Sequence, residues 1–242
     1  MLHRISNKTI VKGTDVIILS GGLGTRLREV VSDRPKPMAE INGHPFLDIL
    51  LKYIAGFGFR RFILCAGHLS DNIREYYKNQ KINYNIIFSH EHSQLGTGGA
   101  IKNAESLILN SPFLVMNGDS FCPIDLLQFI DFHLRKEALS SMVVVEAQNV
   151  GDCGMITLDN FYKVIQFEEK KRIDKRAYIN AGIYLFEKDV LSIIPPDTKY
   201  SLEYDLFPRL VGSKFFGFIT KEKFIDIGTP ERLEYARSFF PK

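Results

Sequence analysis

The residues with the most chemical promise lie between Leu19 and Met38. There the apolar run from Val16 to Leu19 stops at Ser20, and Gly21, Gly22 and Gly24 follow before a helix-compatible stretch. A strand that passes through bare glycines into a helix leaves backbone N–H groups pointing at one spot. An anion such as a phosphate can approach that spot because no side chain holds it off. Two cations follow at fixed distances. Arg26 lies in the turn behind Thr25, and Lys36 comes ten residues later between Pro35 and Pro37. The two prolines restrict the backbone and fix the direction of the lysine. A dinucleotide fingerprint is excluded because Leu27 stands where that pattern needs glycine or alanine. A kinase-type phosphate loop is excluded because Gly-Lys-Ser/Thr occurs nowhere in the chain.

The elements that must position these groups alternate along the first half. Val16 to Leu19, Phe62 to Cys65, Tyr84 to Phe88 and Phe113 to Met116 read as short apolar strands. Between them, helices are expected over Pro45 to Ala55, Ser70 to Tyr77 and about Gly98 to Leu107. Strands alternating with helices require crossover connections, which predicts an α/β fold: a three-layer, Rossmann-like, mainly parallel sheet with helices on both faces. Ligands of such sheets gather beyond the carboxyl ends of the strands, so the segments after Leu19, Phe88 and Met116 are the candidate site. The second half is richer in strands. Met142 to Ala147, a hairpin of Gly154–Leu158 and Tyr162–Phe167 about Asp159-Asn160, Ile183 to Phe186 and Phe215 to Ile219 form a β-rich insertion, and a closing helix starts after Thr229-Pro230. Without a repeat or linker, residues 1–242 read as one domain, with one half at about 15–140 and the other at about 141–242.

The full spacing, Gly-Gly-x-Gly-x-Arg with Lys in Pro-Lys-Pro ten residues on, closely resembles the sugar-1-phosphate nucleotidyltransferase family, and further elements follow in that family's order from about Asp15 to Phe239. The resemblance implies that the loop of Leu19, Gly21, Gly22, Gly24 and Thr25 wraps a nucleoside triphosphate. Arg26 and Lys36 would neutralise the departing pyrophosphate. Leu95–Ile101, with Gly96 and Thr97, resembles the base- and ribose-binding turn; read alone it is a helix start capped by Thr97. Glu91 stands just upstream, where a carboxylate can accept from guanine N1–H and its amino group. Asn117-Gly118-Asp119 resembles the magnesium station, and Phe224–Glu231 supplies the second carboxylate, Asp226. The sugar side is implied by Asp152-Cys153-Gly154, by Phe167-Glu168-Glu169-Lys170, by Asn180-Ala181-Gly182 and by Ser201-Leu202-Glu203. Glu169 would meet sugar hydroxyls and Lys170 the sugar phosphate. Two departures stand out: Cys153 replaces a frequent aromatic residue, and Lys171 replaces the proline that usually follows the lysine.

The implied cofactor is Mg²⁺ on Asp119 and Asp226, and the implied reaction moves a nucleoside monophosphate onto a sugar 1-phosphate with release of pyrophosphate. The finer texture of Pro35–Leu47 and of Leu95–Ile101 most resembles the short bacterial guanylyltransferases that act on D-glycero-D-manno-heptose 1-phosphate for surface polysaccharides. Short relatives that take mannose 1-phosphate, or N-acetylmuramate 1-phosphate with UTP, are the alternatives. A silent sugar-nucleotide sensor is disfavoured because Arg26, Lys36, Asp119 and Asp226 are all retained.

Bulk properties agree. The 31 basic and 28 acidic residues nearly cancel, which argues against a nucleic-acid partner. Lys170, Lys171, Arg172, Lys175 and Arg176 read as a solvated basic turn. Three scattered cysteines suit neither a disulfide scaffold nor a zinc site, and no apolar stretch is long enough to span a bilayer. A cytoplasmic enzyme without a membrane partner is expected. Apolar surface on the second half leaves room for a dimer.

Overall fold

The computed structural model describes residues 11–21, 27, 34–67, 70–91, 93–147, 153–171 and 177–241, with only the backbone of Ser70, Ala147, Cys153, Lys170 and Lys171. In chain order the elements are β1 (Val16–Leu19), β2 (Glu40–Ile41), β3 (His44–Pro45), α1 (Phe46–Gly56), β4 (Arg61–Ala66), α2 (Ser70–Lys78), β5 (Asn85–His90), α3 (Gly96–Asn103), β6 (Phe113–Asn117), β7 (Ser120–Phe121) and α4 (Leu126–Arg135). The second half adds β8 (Ser140–Ala147), β9 (Cys153–Leu158), β10 (Val164–Lys171), β11 (Ala177–Phe186), α5 (Phe207–Leu210), β12 (Phe215–Thr220), β13 (Ile225–Asp226) and α6 (Pro230–Phe239).

One nine-stranded sheet runs through both halves in the order β10-β9-β11-β6-β1-β4-β5, with β8 on the other edge of β11 and β12 beyond β8. Strands β6, β1, β4 and β5 are mutually parallel, with Leu19 level with Asn117 on one side and Cys65 on the other. Strand β11 joins β6 antiparallel, so the sheet is mixed, and the strands of the second half pair antiparallel except for β12, which runs parallel to β8. The inner parallel strands β1 and β6 are apolar and almost wholly buried because both faces are covered, whereas β5 at the edge is polar at its ends and only partly buried. Val16, Ile18, Phe62 and Leu64 face the layer of α1, α2, α4 and α6, while Ile17, Ile63 and Cys65 face α3 and the segment Leu202–Leu210. Along α1 the fully buried Phe46, Leu47, Leu50, Leu51 and Ile54 follow the helical period that the sequence shows.

Helix α4 and the β2–β3 hairpin are among the elements that lie outside the sequence expectations. Helix α4 is capped by Asp125, whose carboxylate accepts from Leu127 N and Gln128 N, and it buries Leu126, Phe129, Ile130 and His133 at helical spacing. The β2–β3 hairpin turns on Asn42 and Gly43, both at positive φ, which is the backbone an Asn-Gly pair favours. The Asn42 side chain then donates to the carbonyls of Arg237 and Phe240, fastening the end of α6. The expected hairpin about Asp159 forms as β9 and β10. Of the basic turn, Lys170 and Lys171 extend β10, and Arg172, Lys175 and Arg176 lie outside the described residues.

The antiparallel strip curls. The start of β10 comes round to β12, with Lys163 bridging to Phe216 and Gly217 N donating to Tyr162 O at 2.8 Å. A Cβ at Gly217 would lie 2.8 Å from the Leu158 side chain, which would have to shift to admit it.

Candidate functional site

Three strand ends of the parallel half open on one cavity of about 350 Å³. Its lining includes Leu19 and Gly21 after β1, Glu91 after β5, Gly96 and Thr97 on α3, and Asn117 and Asp119 after β6. The segments expected beyond Leu19, Phe88 and Met116 therefore meet. Gly21 leaves room for the Glu91 side chain, since a Cβ there would lie 2.8 Å from Glu91 Oε1. Half-burial pushes the Glu91 carboxyl up, against a hydrogen bond accepted from Leu95 N at 3.3 Å. Gly22, Gly24, Thr25 and Arg26 lie outside the described residues.

At the mouth of the cavity two carboxylates meet two cations. Pro35 and Pro37 hold Lys36 in a single 3₁₀ turn, and its Nζ lies 2.5 Å from Asp119 Oδ2. Gly118 lets Asp119 turn out of β6. Its N–H donates to Leu19 O at 2.8 Å, and a Cβ would strike that same oxygen, so here its glycine identity serves strand packing. The short pair β7–β13 sets Asp226 opposite Ser120, and Ile227 N donates to Asp119 O at 3.0 Å. Positions 119 and 226, far apart in sequence, are thus neighbours. Asp226 accepts from Gly228 N at 2.8 Å and from Arg232 Nη1 at 2.9 Å. Among the described residues no three His, Cys, Asp or Glu side chains form a ready cage for a metal ion. Two adjacent carboxylates nevertheless suit Mg²⁺, which takes one or two such ligands and completes its shell with phosphate oxygens and water.

The β-rich half borders the site from strand faces. Gly154 makes room for Glu169, since a Cβ there would lie 2.8 Å from Glu169 Oε2. Asn180 Oδ1 accepts from Gly182 N at 2.9 Å, and its amide donates to the Tyr184 hydroxyl at 2.7 Å. Gly182 has φ +72°, and a Cβ would lie 2.7 Å from Ser120 Oγ and 2.8 Å from Asn117 Nδ2. It sits at the register shift between β8 and β11, where the strand passes from the β9 side to β6. Burial pushes the fully buried Tyr184 phenol well up, and the carboxylates Glu203, Glu169 and Asp119 add to this. The strand of Lys170 is described, but its side chain is not.

The turn at Leu95–Ile101 differs from expectation. Helix α3 starts at Gly96 with Leu95 at the cap position, so Thr97 does not cap it. The N–H groups of Gly98 and Gly99 donate to Tyr200 O at 2.8 and 3.0 Å, which removes them as ligand donors. Two cationic residues at the site escaped the sequence reading. Arg232 belongs to an ordinary-looking first helical turn. The exposed Lys199 lines the cavity from a loop without local signature.

This is the layout of an α/β enzyme of phosphate esters, with charged groups gathered past the carboxyl ends of parallel strands. Residues 15–242 match the nucleotidyl transferase family, and the chain belongs to it. A D-glycero-alpha-D-manno-heptose 1-phosphate guanylyltransferase of Campylobacter jejuni is 37% identical over 215 residues, covering 89% of this chain and 95% of its own length. The enzyme of the same description from Aneurinibacillus thermoaerophilus is 36% identical over 225 residues, with coverages of 92% and 96%. Among solved structures, HddC from Yersinia pseudotuberculosis complexed with GMP-PN superposes with a TM-score of 0.83 at 38% identity, over 94% of this chain and 100% of that one. The resemblance drawn from the motifs is borne out, as is the α/β fold. No helix among the described residues is long and apolar enough to cross a membrane.

Proposed function

We propose that the protein transfers GMP from GTP to D-glycero-D-manno-heptose 1-phosphate, giving the GDP-sugar and pyrophosphate for a surface glycan. The observation that carries this reading is the meeting of Lys36, Asp119, Asp226 and Arg232 at the mouth of a cavity that also holds Glu91. The relatives at 36–37% identity support the choice of base and sugar. A phosphate oxygen of the sugar 1-phosphate attacks the α-phosphorus of GTP, and the bond from that phosphorus to the β-phosphate bridging oxygen breaks. The attacking group is already an anion at neutral pH, so the protein needs no nucleophile of its own. Its residues act by positioning and by opposing charge.

Lys36, fixed between its prolines, faces the departing pyrophosphate together with Arg26. Lys170 orients the attacking phosphate, and Glu169 and Asn180 receive sugar hydroxyls. Gly154 gives the Glu169 side chain its room. Glu91 accepts from guanine N1–H and the exocyclic amine, a pairing that uracil and thymine do not offer. Asp119 and Asp226 would hold Mg²⁺, which when bound supplies positive charge to the phosphates. We place the enzyme in the cytoplasm, where the buried Cys65 and Cys122 stay free thiols.

The test is pyrophosphate release by the purified protein with Mg²⁺, scanning GTP, UTP, dTTP, CTP and ATP against heptose, mannose, glucose and N-acetylmuramate 1-phosphates. Release confined to GTP with the heptose phosphate is expected. A different productive pair would replace the substrates and keep the reaction, whereas silence across the panel would overturn it.

A further inference from the structure

The glycines at 96, 98 and 99 do more than begin a helix. Gly96 has φ +72°, and a Cβ there would lie 2.8 Å from Tyr200 O; at Gly99 it would lie 2.6 Å from Thr198 O. Leu95 O accepts from Tyr200 N at 2.8 Å, while Gly98 N and Gly99 N return two bonds to Tyr200 O. The segment Thr198–Glu203 is therefore docked backbone to backbone on the first turn of α3. Thr97 is the one side chain in that turn able to bridge, and it does so twice. Its Oγ1 accepts from Leu202 N at 2.8 Å and donates to Glu203 Oε2 at 2.9 Å. The same carboxylate oxygen accepts from Ser201 Oγ at 2.8 Å. Glu203 is thus held by one hydroxyl from its own turn and one from the helix that lines the nucleotide cavity.

We infer that Thr97 is a positioning residue for the sugar 1-phosphate: it holds the Glu203 carboxylate from the nucleotide-side helix and so couples the binding of the two substrates. This rests on the proposed reaction and on Glu203 serving the sugar side. Gly96, Thr97 and Ala100 of α3 line the cavity, so a nucleotide bound there would press on that turn and fix the partner of Glu203. By linkage, sugar phosphate bound against Glu203 must favour nucleotide by the same factor.

The experiment uses the full chain and its Thr97→Val, Thr97→Ser and Glu203→Gln variants. KM is measured for each substrate at saturating partner, and calorimetry gives the affinity for D-glycero-D-manno-heptose 1-phosphate with and without a non-hydrolysable GTP analogue. Thr97→Val should raise the sugar-phosphate KM at saturating GTP on the order of tenfold, the worth of a hydrogen bond to a charged group, and by linkage should raise the GTP KM at saturating sugar phosphate with it. The gain in sugar-phosphate affinity caused by the analogue should vanish, and Thr97→Ser should restore it. A rise in the GTP KM alone, or an analogue effect that survives Thr97→Val undiminished, overturns the inference. If Glu203→Gln raises the sugar-phosphate KM and Thr97→Val does not, the coupling fails while the assignment of Glu203 stands. An unchanged sugar-phosphate KM in Glu203→Gln overturns both, and the pyrophosphate panel reports separately on the reaction. Should Thr97→Val not fold, Glu203→Gln must still shrink the analogue's effect, and failure to do so overturns the inference.

Discussion

The parallel half and the antiparallel half of the sheet contribute to the site in different ways. In the parallel half the candidate residues stand just past strand ends: Gly21 after β1, Glu91 after β5, and Asp119 after β6. There the backbone leaves the ladder, so N–H groups and short side chains can turn toward a ligand. In the antiparallel half the candidates lie within strands, Gly154 on β9, Glu169 on β10, and Asn180 and Gly182 on β11. Their directions follow from strand register, from the irregularities at Glu169 and Gly182, and from where glycine leaves room. Charge chemistry is thus placed on turns, and shape is placed on strands. The π-helical turn that starts at Leu202, next to α5, stands between the two and touches both.

That contrast can be broken at three points. Lys36→Ala removes the fixed charge on the parallel side. Pyrophosphate release should fall on the order of 10²–10³ with an unchanged melting temperature, and near-normal turnover would show that Lys36 does not face the reacting phosphates. Gly182→Ala strikes the strand side, where positive φ and two close side-chain atoms oppose a Cβ. Denaturant unfolding should show a loss of roughly 1–3 kcal/mol, and an unchanged midpoint would mean that the bulge absorbs the methyl group. The smallest effect is expected for Glu91→Gln, which should raise the KM for GTP about tenfold and narrow its advantage over UTP. Burial lifts the Glu91 carboxyl above its ordinary 4.5, and only the ionised form can accept both guanine donors. Acidification should therefore raise the KM for GTP while the pH is still above 4.5, and Glu91→Gln should flatten that rise.

The same contrast explains what the sequence made legible. Glycine clusters and Pro-Lys-Pro mark the turns because each residue has a backbone consequence that can be read locally, and the cavity formed where those turns were expected. Gly154, Glu169 and Asn180 carry no such mark, because apolar and polar residues alternate along any half-buried strand. They were reached through family resemblance. Helix α4 was legible in principle, with Asp125 as cap and four core residues at helical spacing, but it was passed over beside the stronger signals. The bond of Thr97 to Glu203 and the pairing of Arg232 with Asp226 were beyond reach. The first joins residues 106 positions apart. The second depends on how β13 feeds α6 and on which carboxylate the helix start then faces.

The closure of β10 onto β12 bears on how the protein behaves in a crowded solution. A sheet ordinarily offers a row of unpaired N–H and C=O groups along each side, where other chains can add and aggregation can begin. Here the bridge at Lys163 and the bond from Gly217 pin the two outer strands of the curled strip to each other, so this end of the sheet guards itself. The opposite side ends in β5, beyond which no strand pairs among the described residues, and Arg74 lies over the face of Phe88 there. Of the two sides of the sheet, the one held by Lys163 and Gly217 is thus the one whose protection is built into its own strands.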